Sequence, residues 1–443
     1  MKQIKLNDNS FYTREIFESV PDLFEKIVNK SLRQLEKEGI FVFSDGVKAA
    51  EDISDEQYVL KSSDGKYYTG NIMGFFGYHD EYIVIGSRFS DDCDDYFLKY
   101  LMEKALDVPN SLNLNTTFSA DEHMFEFYMF LFPSFLKSAM RKGIYKSYVL
   151  NEYNDANIRG TIDIKRHLRL NTPFLGNIAY NQKEFSYDNH ITQLIRHTVE
   201  FMKKNPRYSV LLRNVRDEVA DVINSTPSYK PSYRHKVIAN NRKNKLKHAY
   251  FHEYQKLQTL CLLILNRGKC QIGYGIEEIS GVIFDGAWLW EEYINVLICD
   301  LFYHPKNKAH DGTQHLFYNK LGRIYPDFMS RNSQNRIIAD AKYKPIRNIG
   351  NKDYLQVLAY MYRFDAKCGV YFYPEISDID SVILYLNQGS TYEKNVCPRN
   401  DICLKKLGLK LSNGADSYEQ YKHLMLQAES EFMLNVKNII GCQ

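Results

Sequence analysis

The sequence predicts a multidomain protein of the α+β and α/β classes: a β-rich amino-terminal domain, a helical middle region and a mixed αβ carboxy-terminal domain. Three observations carry this expectation. Short strand-like runs alternate with Gly and Asp clusters over residues 1–115, and apolar residues recur at helical spacing over 116–270. From 287 to 373, helix-like and strand-like segments then alternate. The expected domains are therefore 1–115, 116–270 and 271–443, the last ending in an appended tail from about 390. Two or three domains are usual for 443 residues. A hydrophobic content of 44%, with 34 Tyr and 26 Phe, supplies a core for each and excludes wholesale disorder.

In the first region, 40–43, 58–60 and 82–86 have strand composition and are separated by turn formers such as Ser63-Asp64-Gly65. The acidic run 91–95 precedes an amphipathic helix expected over 96–106, where acids complement the positive end of the helix dipole. The glycine and spacing of a calcium loop are missing from it. With no catalytic pattern, the region reads as a binding module.

The second region predicts helices over 125–142, 189–204, 208–223 and 251–266. Between the first two, 158–167 reads as an alternating strand with basic outward positions. A turn, a second strand and a helix opening near Asp188 or Asn189 follow. Net charge is only +3, but residues 230–248 concentrate seven Lys and Arg and two His with no acid. Such a run can contact phosphates, where each neutralised charge adds to the salt dependence of binding. Arg242, Lys243, Lys245 and Lys247 are the candidate contacts to a DNA backbone; a solvated connector between helices is the alternative.

The third region holds the chemistry. A helix over 287–301, a strand-like piece at 315–318, a hairpin over 324–344, a helix over 351–362 and an apolar strand at 369–373 follow in order. In the hairpin, Pro326-Asp327 opens one arm, the polar run 330–335 turns, and Ile337-Ile338-Ala339-Asp340-Ala341-Lys342 forms the other. Side chains at i and i+2 of a strand share a face, so Asp340 and Lys342 should lie side by side with Asp327 next to them. Asp340 ends an apolar stretch, where an unpaired carboxylate is costly. That distinguishes the set from an ordinary solvated charge pair. Hard Mg²⁺ prefers carboxylate oxygens, and a neighbouring lysine positions or helps deprotonate a water. Together they suit metal-assisted hydrolysis of a phosphodiester. Glu291 sits beside the apolar stripe 289, 290, 293, 294, 297 and 298, facing either the metal or solvent. Gln356 either reaches the site from the following helix or is an ordinary polar helix residue.

The αβββαβ order with Pro326-Asp327 and Asp340-Ala341-Lys342 resembles the PD-(D/E)xK nuclease superfamily. Three separated signatures narrow the resemblance: Arg159-Gly160-Thr161-Ile162-Asp163, the helix start Phe185-Ser186-Tyr187-Asp188-Asn189, and the Asp327, Asp340 and Lys342 set. Their order and spacing, over roughly 120–390, are similar to those of the McrC-type nuclease subunits of McrBC restriction systems. The resemblance implies that Asp327 and Asp340 ligate Mg²⁺ and Lys342 positions the attacking water, with Glu291 a candidate to complete the shell. It implies cleavage to a 5′-phosphate and a 3′-hydroxyl. It also implies a partner, a McrB-like hexameric AAA+ GTPase that binds GTP and recognises modified double-stranded DNA. The amino-terminal domain would dock on this partner and stimulate it.

Several features fit that division of labour. The chain has no Gly-x-x-x-x-Gly-Lys-Ser/Thr phosphate loop, and neither a helix-turn-helix nor a zinc-finger signature. No apolar run approaches a membrane span, no signal peptide is visible, and the eight cysteines lack Cys-x-x-Cys spacing; a cytoplasmic protein with reduced thiols is expected. Two other classes remain open: a stand-alone nuclease of the same superfamily acting in repair, and a non-catalytic adaptor of a GTPase. The intact Asp, Asp and Lys set speaks against the second.

Overall fold

The computed structural model describes residues 2–37, 41–43, 58–90, 96–105, 120–248, 250–267, 280–305, 314–332, 335–377, 381–389, 396–412 and 414–441. The acidic run 91–95 lies outside them. The fold is mixed α and β, with several sheets, and divides into two compact units. One unit joins Met1–Asn110 to Ile276–Gln443, and the other is Ser111–Gly275. Residues 1–115 and 271–443 were expected as separate domains, and a strand is what unites them. Ser280–Asp285 pairs antiparallel with Ile72–Tyr78 and parallel with Phe41–Phe43, entering a five-stranded sheet with Glu81–Gly86 and Lys2–Asn7. Ile283 completes a core with Leu6, Ile72, Phe76, Ile83 and Ile85, capped by Leu23, Phe24 and Ile27 of helix Pro21–Ile27. Such pairings between segments more than 200 residues apart leave no local mark in either.

The second sheet of this unit runs in the order Phe302–Tyr303, Phe328–Ser330, Ile337–Ala341, Cys368–Glu375, Cys397–Lys410 and Val382–Gln388. The strands from Ile337–Ala341 through Cys368–Glu375 to Cys397–Lys410 are parallel, and the outer pairs are antiparallel. Central strands of this kind are buried on both faces. Tyr371 and Tyr373 pack with Val357 and Met361 of helix Asn351–Phe364. Phe372, between them, faces Phe302 and Phe432 of helix Tyr418–Ile440. Gly369 lets helix and strand approach closely, since a Cβ there would meet Leu404 at 2.5 Å and both Met361 and Val357 at 2.7 Å.

Two expectations need correction here. Residues from 390 are not an appended tail: Cys397–Lys410 is an interior strand of the sheet, and Tyr418–Ile440 covers one face. The 315–318 piece is not the strand beside the hairpin. That place is taken by Phe302–Tyr303, while Gln314–His315 pairs with Arg323–Ile324 in a separate ribbon.

The other unit is mainly helical, with Ala120–Met140, His190–Lys203, Arg216–Asn224, Arg234–Lys243 and His252–Arg267 as its longer helices. The expected helix over 208–223 is broken, with the single turn Pro206–Ser209 and a 3-10 segment, Val210–Val215, preceding Arg216–Asn224. A three-stranded sheet holds Ser147–Asp155, Ile178–Ser186 and Thr161–Ile162. The strand expected over 158–167 ends early because Asp163 caps helix Ile164–Leu170, accepting from Arg166 N at 3.0 Å. Asn189 opens the next helix with a capping box to Thr192. Among the described residues no helix is long and apolar enough to cross a membrane.

Candidate functional site

The hairpin forms from Phe328–Ser330 and Ile337–Ala341, with Phe328 opposite Ala339. Asp327 lies one residue before the first strand rather than within it. Its carboxylate still reaches across, because its Oδ2 accepts from Ala341 N at 2.9 Å. Asp340 and Lys342 share the face of Ile338, as the two-residue period requires. The Lys342 ammonium stands 2.7 Å from Asp340 Oδ2 and donates to Gln356 Oε1 at 3.4 Å. Asp340 is 1% exposed. Gln356 thus reaches the site, and its Nε2 donates to the Tyr360 hydroxyl at 2.9 Å.

Glu291 also faces this cluster. Its Oε1 lies 3.8 Å from His304 Nε2, and its charge acts on Asp327. Burial, and then the Glu291 charge, push Asp327 up to about 7. Burial, and then the Asp327 charge, push Asp340 up to about 7 as well. Burial opposes the charge on Lys342, yet Asp340 and Asp327 hold its pKa above the ordinary lysine value. The arrangement is an excess of negative charge, buried at Asp340 and half-buried at Asp327 and Glu291, with the Lys342 ammonium among it.

Two residues that the sequence did not single out brace these groups. His304 Nδ1 lies 2.7 Å from the Asp327 carbonyl oxygen, a hydrogen bond that ties the end of one strand to the next. Asp353 accepts from Lys344 at 2.7 and 2.9 Å and from Gly350 N at 3.0 Å, and lies 3.8 Å from Lys342 Nζ. Burial works against its charge, but the Lys344 and Gly350 bonds hold its pKa below the usual carboxylate range. An acid three residues after Gly350 is a helix-start signal legible in sequence. His304 had no such signal, since only the pairing of Phe302–Tyr303 with the hairpin brings it here. The far side of Lys342 is anchored by Tyr343, whose hydroxyl lies 2.6 Å from Ser87 Oγ and whose ring packs against Phe89. The amino-terminal region, expected as a separate binding module, thus buttresses the site.

The donor set suits a hard divalent cation. Among the described residues no group of three His, Cys, Asp or Glu side chains is arranged as a ready-made metal cage. Mg²⁺ does not require one, because it keeps several waters and takes one or two carboxylates plus substrate oxygens. Buried Asp340 and half-buried Asp327, whose proton affinity is raised by burial and then by neighbouring carboxylates, meet that requirement.

The basic candidates lie elsewhere. Arg242, Lys243, Lys245 and Lys247 belong to the helical unit, where they line a cavity with His190 and Tyr145.

Residues 68–374 match the family model described as McrBC 5-methylcytosine restriction system component. The chain is also similar to a solved structure, a refined half-complex from the tetradecameric assembly of Thermococcus gammatolerans McrB AAA+ hexamers with bound McrC. Identity is 14% and the TM-score 0.50, over 99% of this chain and 100% of that one. At that identity the likeness speaks to the fold. A second structure, the cryo-EM Thermococcus gammatolerans McrBC complex, is matched at 14% identity and a TM-score of 0.32, over 67% of this chain and 87% of that one. None of the curated proteins matches the chain in sequence.

Proposed function

This chain belongs to the McrBC 5-methylcytosine restriction system component family, and we propose that within it the chain is the McrC-type nuclease subunit, hydrolysing DNA phosphodiester bonds in a PD-(D/E)xK site. The observation that carries this reading is the convergence of Asp327, Asp340 and Lys342 at the hairpin: Asp340 is buried with the Lys342 ammonium 2.7 Å away, and half-buried Asp327 accepts from Ala341 N between them. A surface ion pair would not keep the Asp340 carboxylate out of water at that cost.

Asp327 and Asp340 would hold Mg²⁺, with Glu291, whose charge acts on Asp327, a candidate to complete the shell. When bound, the ion would polarise a phosphoryl oxygen and lower the pKa of a coordinated water. Lys342, kept protonated by its carboxylate neighbours, suits holding a water and offsetting the negative charge that develops on the phosphate, rather than removing a proton. Gln356 orients Lys342 through its Oε1. His304 and Asp353 act one step removed, fixing the Asp327 backbone and the lysine pair respectively.

The McrC of the similar structure is bound to McrB AAA+ hexamers. We extend that assembly to this chain: an AAA+ GTPase partner would bind GTP, recognise the modified DNA and deliver it. The lack of any phosphate loop in this sequence supports the division. The decisive experiment measures cleavage of methylated duplex DNA by the chain with its AAA+ partner, GTP and Mg²⁺. Cleavage is expected only with both subunits present and is lost with Asp340→Asn. Site-specific cutting by this chain alone without nucleotide would support a stand-alone nuclease instead. Wild-type cutting by Asp340→Asn would remove the proposed site.

A further inference from the structure

In the helical unit a cavity of about 650 Å³ opens beside the basic run. Arg242, Lys243, Lys245 and Lys247 surround it, His190 and Tyr145 contribute to its lining, and no carboxylate lines it. None of the four cations has an ion-pair partner among the described residues. Residues 244–248, which follow helix Arg234–Lys243, are nevertheless not a loose connector. Gln258, 2% exposed, accepts from Leu246 N at 2.9 Å and donates to Asn241 Oδ1 at 2.9 Å and to Asn244 O at 3.1 Å. Asn241, fully buried, donates to the carbonyl oxygens of His190 and Val237 at 2.8 and 2.9 Å. Leu246 is buried between exposed Lys245 and Lys247.

A solvated connector needs no such scaffold. Like charges gathered around a concavity repel one another, and a structure that fixes them there is built to receive an anion. The cations are exposed and uncompensated while the backbone beneath them is held by buried amides. That combination attracts phosphate groups and offers no means of reading bases.

We propose that this cavity is a discrete docking site for the phosphodiester backbone of DNA. The proposal rests on the nuclease reading above for the identity of its ligand. Free nucleotide phosphates share the same chemistry, so the experiment separates the two sources. In the full chain, lysine acetylation read by mass spectrometry is compared with no addition, with duplex DNA of two unrelated sequences, with inorganic triphosphate and with GTP. Equal protection of Lys243, Lys245 and Lys247 by both duplexes is expected, with GTP no better than triphosphate. Protection by GTP alone, or by no polyanion, overturns the proposal. In parallel, duplex affinity across a salt series is measured for the wild type and for the triple variant Lys243→Gln, Lys245→Gln, Lys247→Gln. The log–log slope should fall by roughly 0.9 for each lost contact; an unchanged slope overturns the proposal. Cleavage by the partner-assembled complex tells the two failures apart. An unchanged slope with intact cleavage removes the docking site and leaves the nuclease, whereas absence of wild-type cleavage removes the nuclease whatever the cavity binds.

Discussion

At the hairpin, Asp340 is 1% exposed and one ammonium stands 2.7 Å from it. In the helical unit, Lys245 and Lys247 stand in solvent around a cavity without an ion-pair partner among the described residues. The first site keeps charge out of water, where each group is felt strongly by its neighbours and none is redundant. The second keeps charge in water, where it is screened and contributions add in small steps. Substitution should therefore act sharply at the hairpin and gradually at the cavity.

The largest expected effect is on cleavage. Removing the Asp340 carboxylate forfeits several kcal/mol of transition-state stabilisation attributed to a bound metal, so Asp340→Asn should slow single-turnover cleavage by roughly 10³-fold or more. A loss of only a few-fold would place Asp340 among the graded, screened charges.

Stability should move the opposite way. Burial, and then the Glu291 charge, push Asp327 up to about 7 in the folded chain against an ordinary 3.8. Between about pH 4 and 7 the unfolded chain therefore releases a proton that the folded chain keeps, and folding is progressively disfavoured as pH rises. Without metal, Asp327→Asn should gain stability relative to the wild type through this window and hold the gain above pH 7. At 1.36 kcal/mol per unit the gain is at most roughly 4 kcal/mol. Denaturant unfolding in a chelator at pH 4, 6 and 8 measures it, and adding Mg²⁺ should stabilise only the wild type. A pH-independent difference would contradict the buried-charge account.

His304 tests whether the hairpin site depends on its supports. His304→Gln should reduce cleavage by roughly 10–100-fold, the range for residues that orient metal ligands, with a raised Mg²⁺ requirement. A stability loss with an unchanged Mg²⁺ requirement would assign His304 to packing alone.

The smallest effect belongs to the cavity. Lys245→Gln alone should leave folding unchanged and lower the salt slope of duplex binding by about 0.9. A complete loss of binding from this one substitution would show that the cavity resembles the hairpin after all.

What the sequence determined by itself lay in short-range periodicity and spacing. Asp340 and Lys342 had to share a face because strand side chains alternate, and Asn189 carries cap chemistry that starts its helix locally. The residues of the three signatures, with their order and spacing, resemble the McrBC family, and the family model over 68–374 agrees. Tertiary structure decided what depends on pairing between distant segments. Ser280–Asp285 joins a sheet formed by residues 200 positions earlier, Cys397–Lys410 enters the middle of a sheet rather than trailing from it, and Phe302–Tyr303 brings His304 to Asp327. The reason is physical: a helix cap or an i, i+2 pair is satisfied by neighbours in the chain, whereas a strand's hydrogen bonds are satisfied by whichever edge the fold presents. The raised proton affinity of Asp327 and Asp340 belongs to the second kind, because burial exists only once both faces of the sheet are covered.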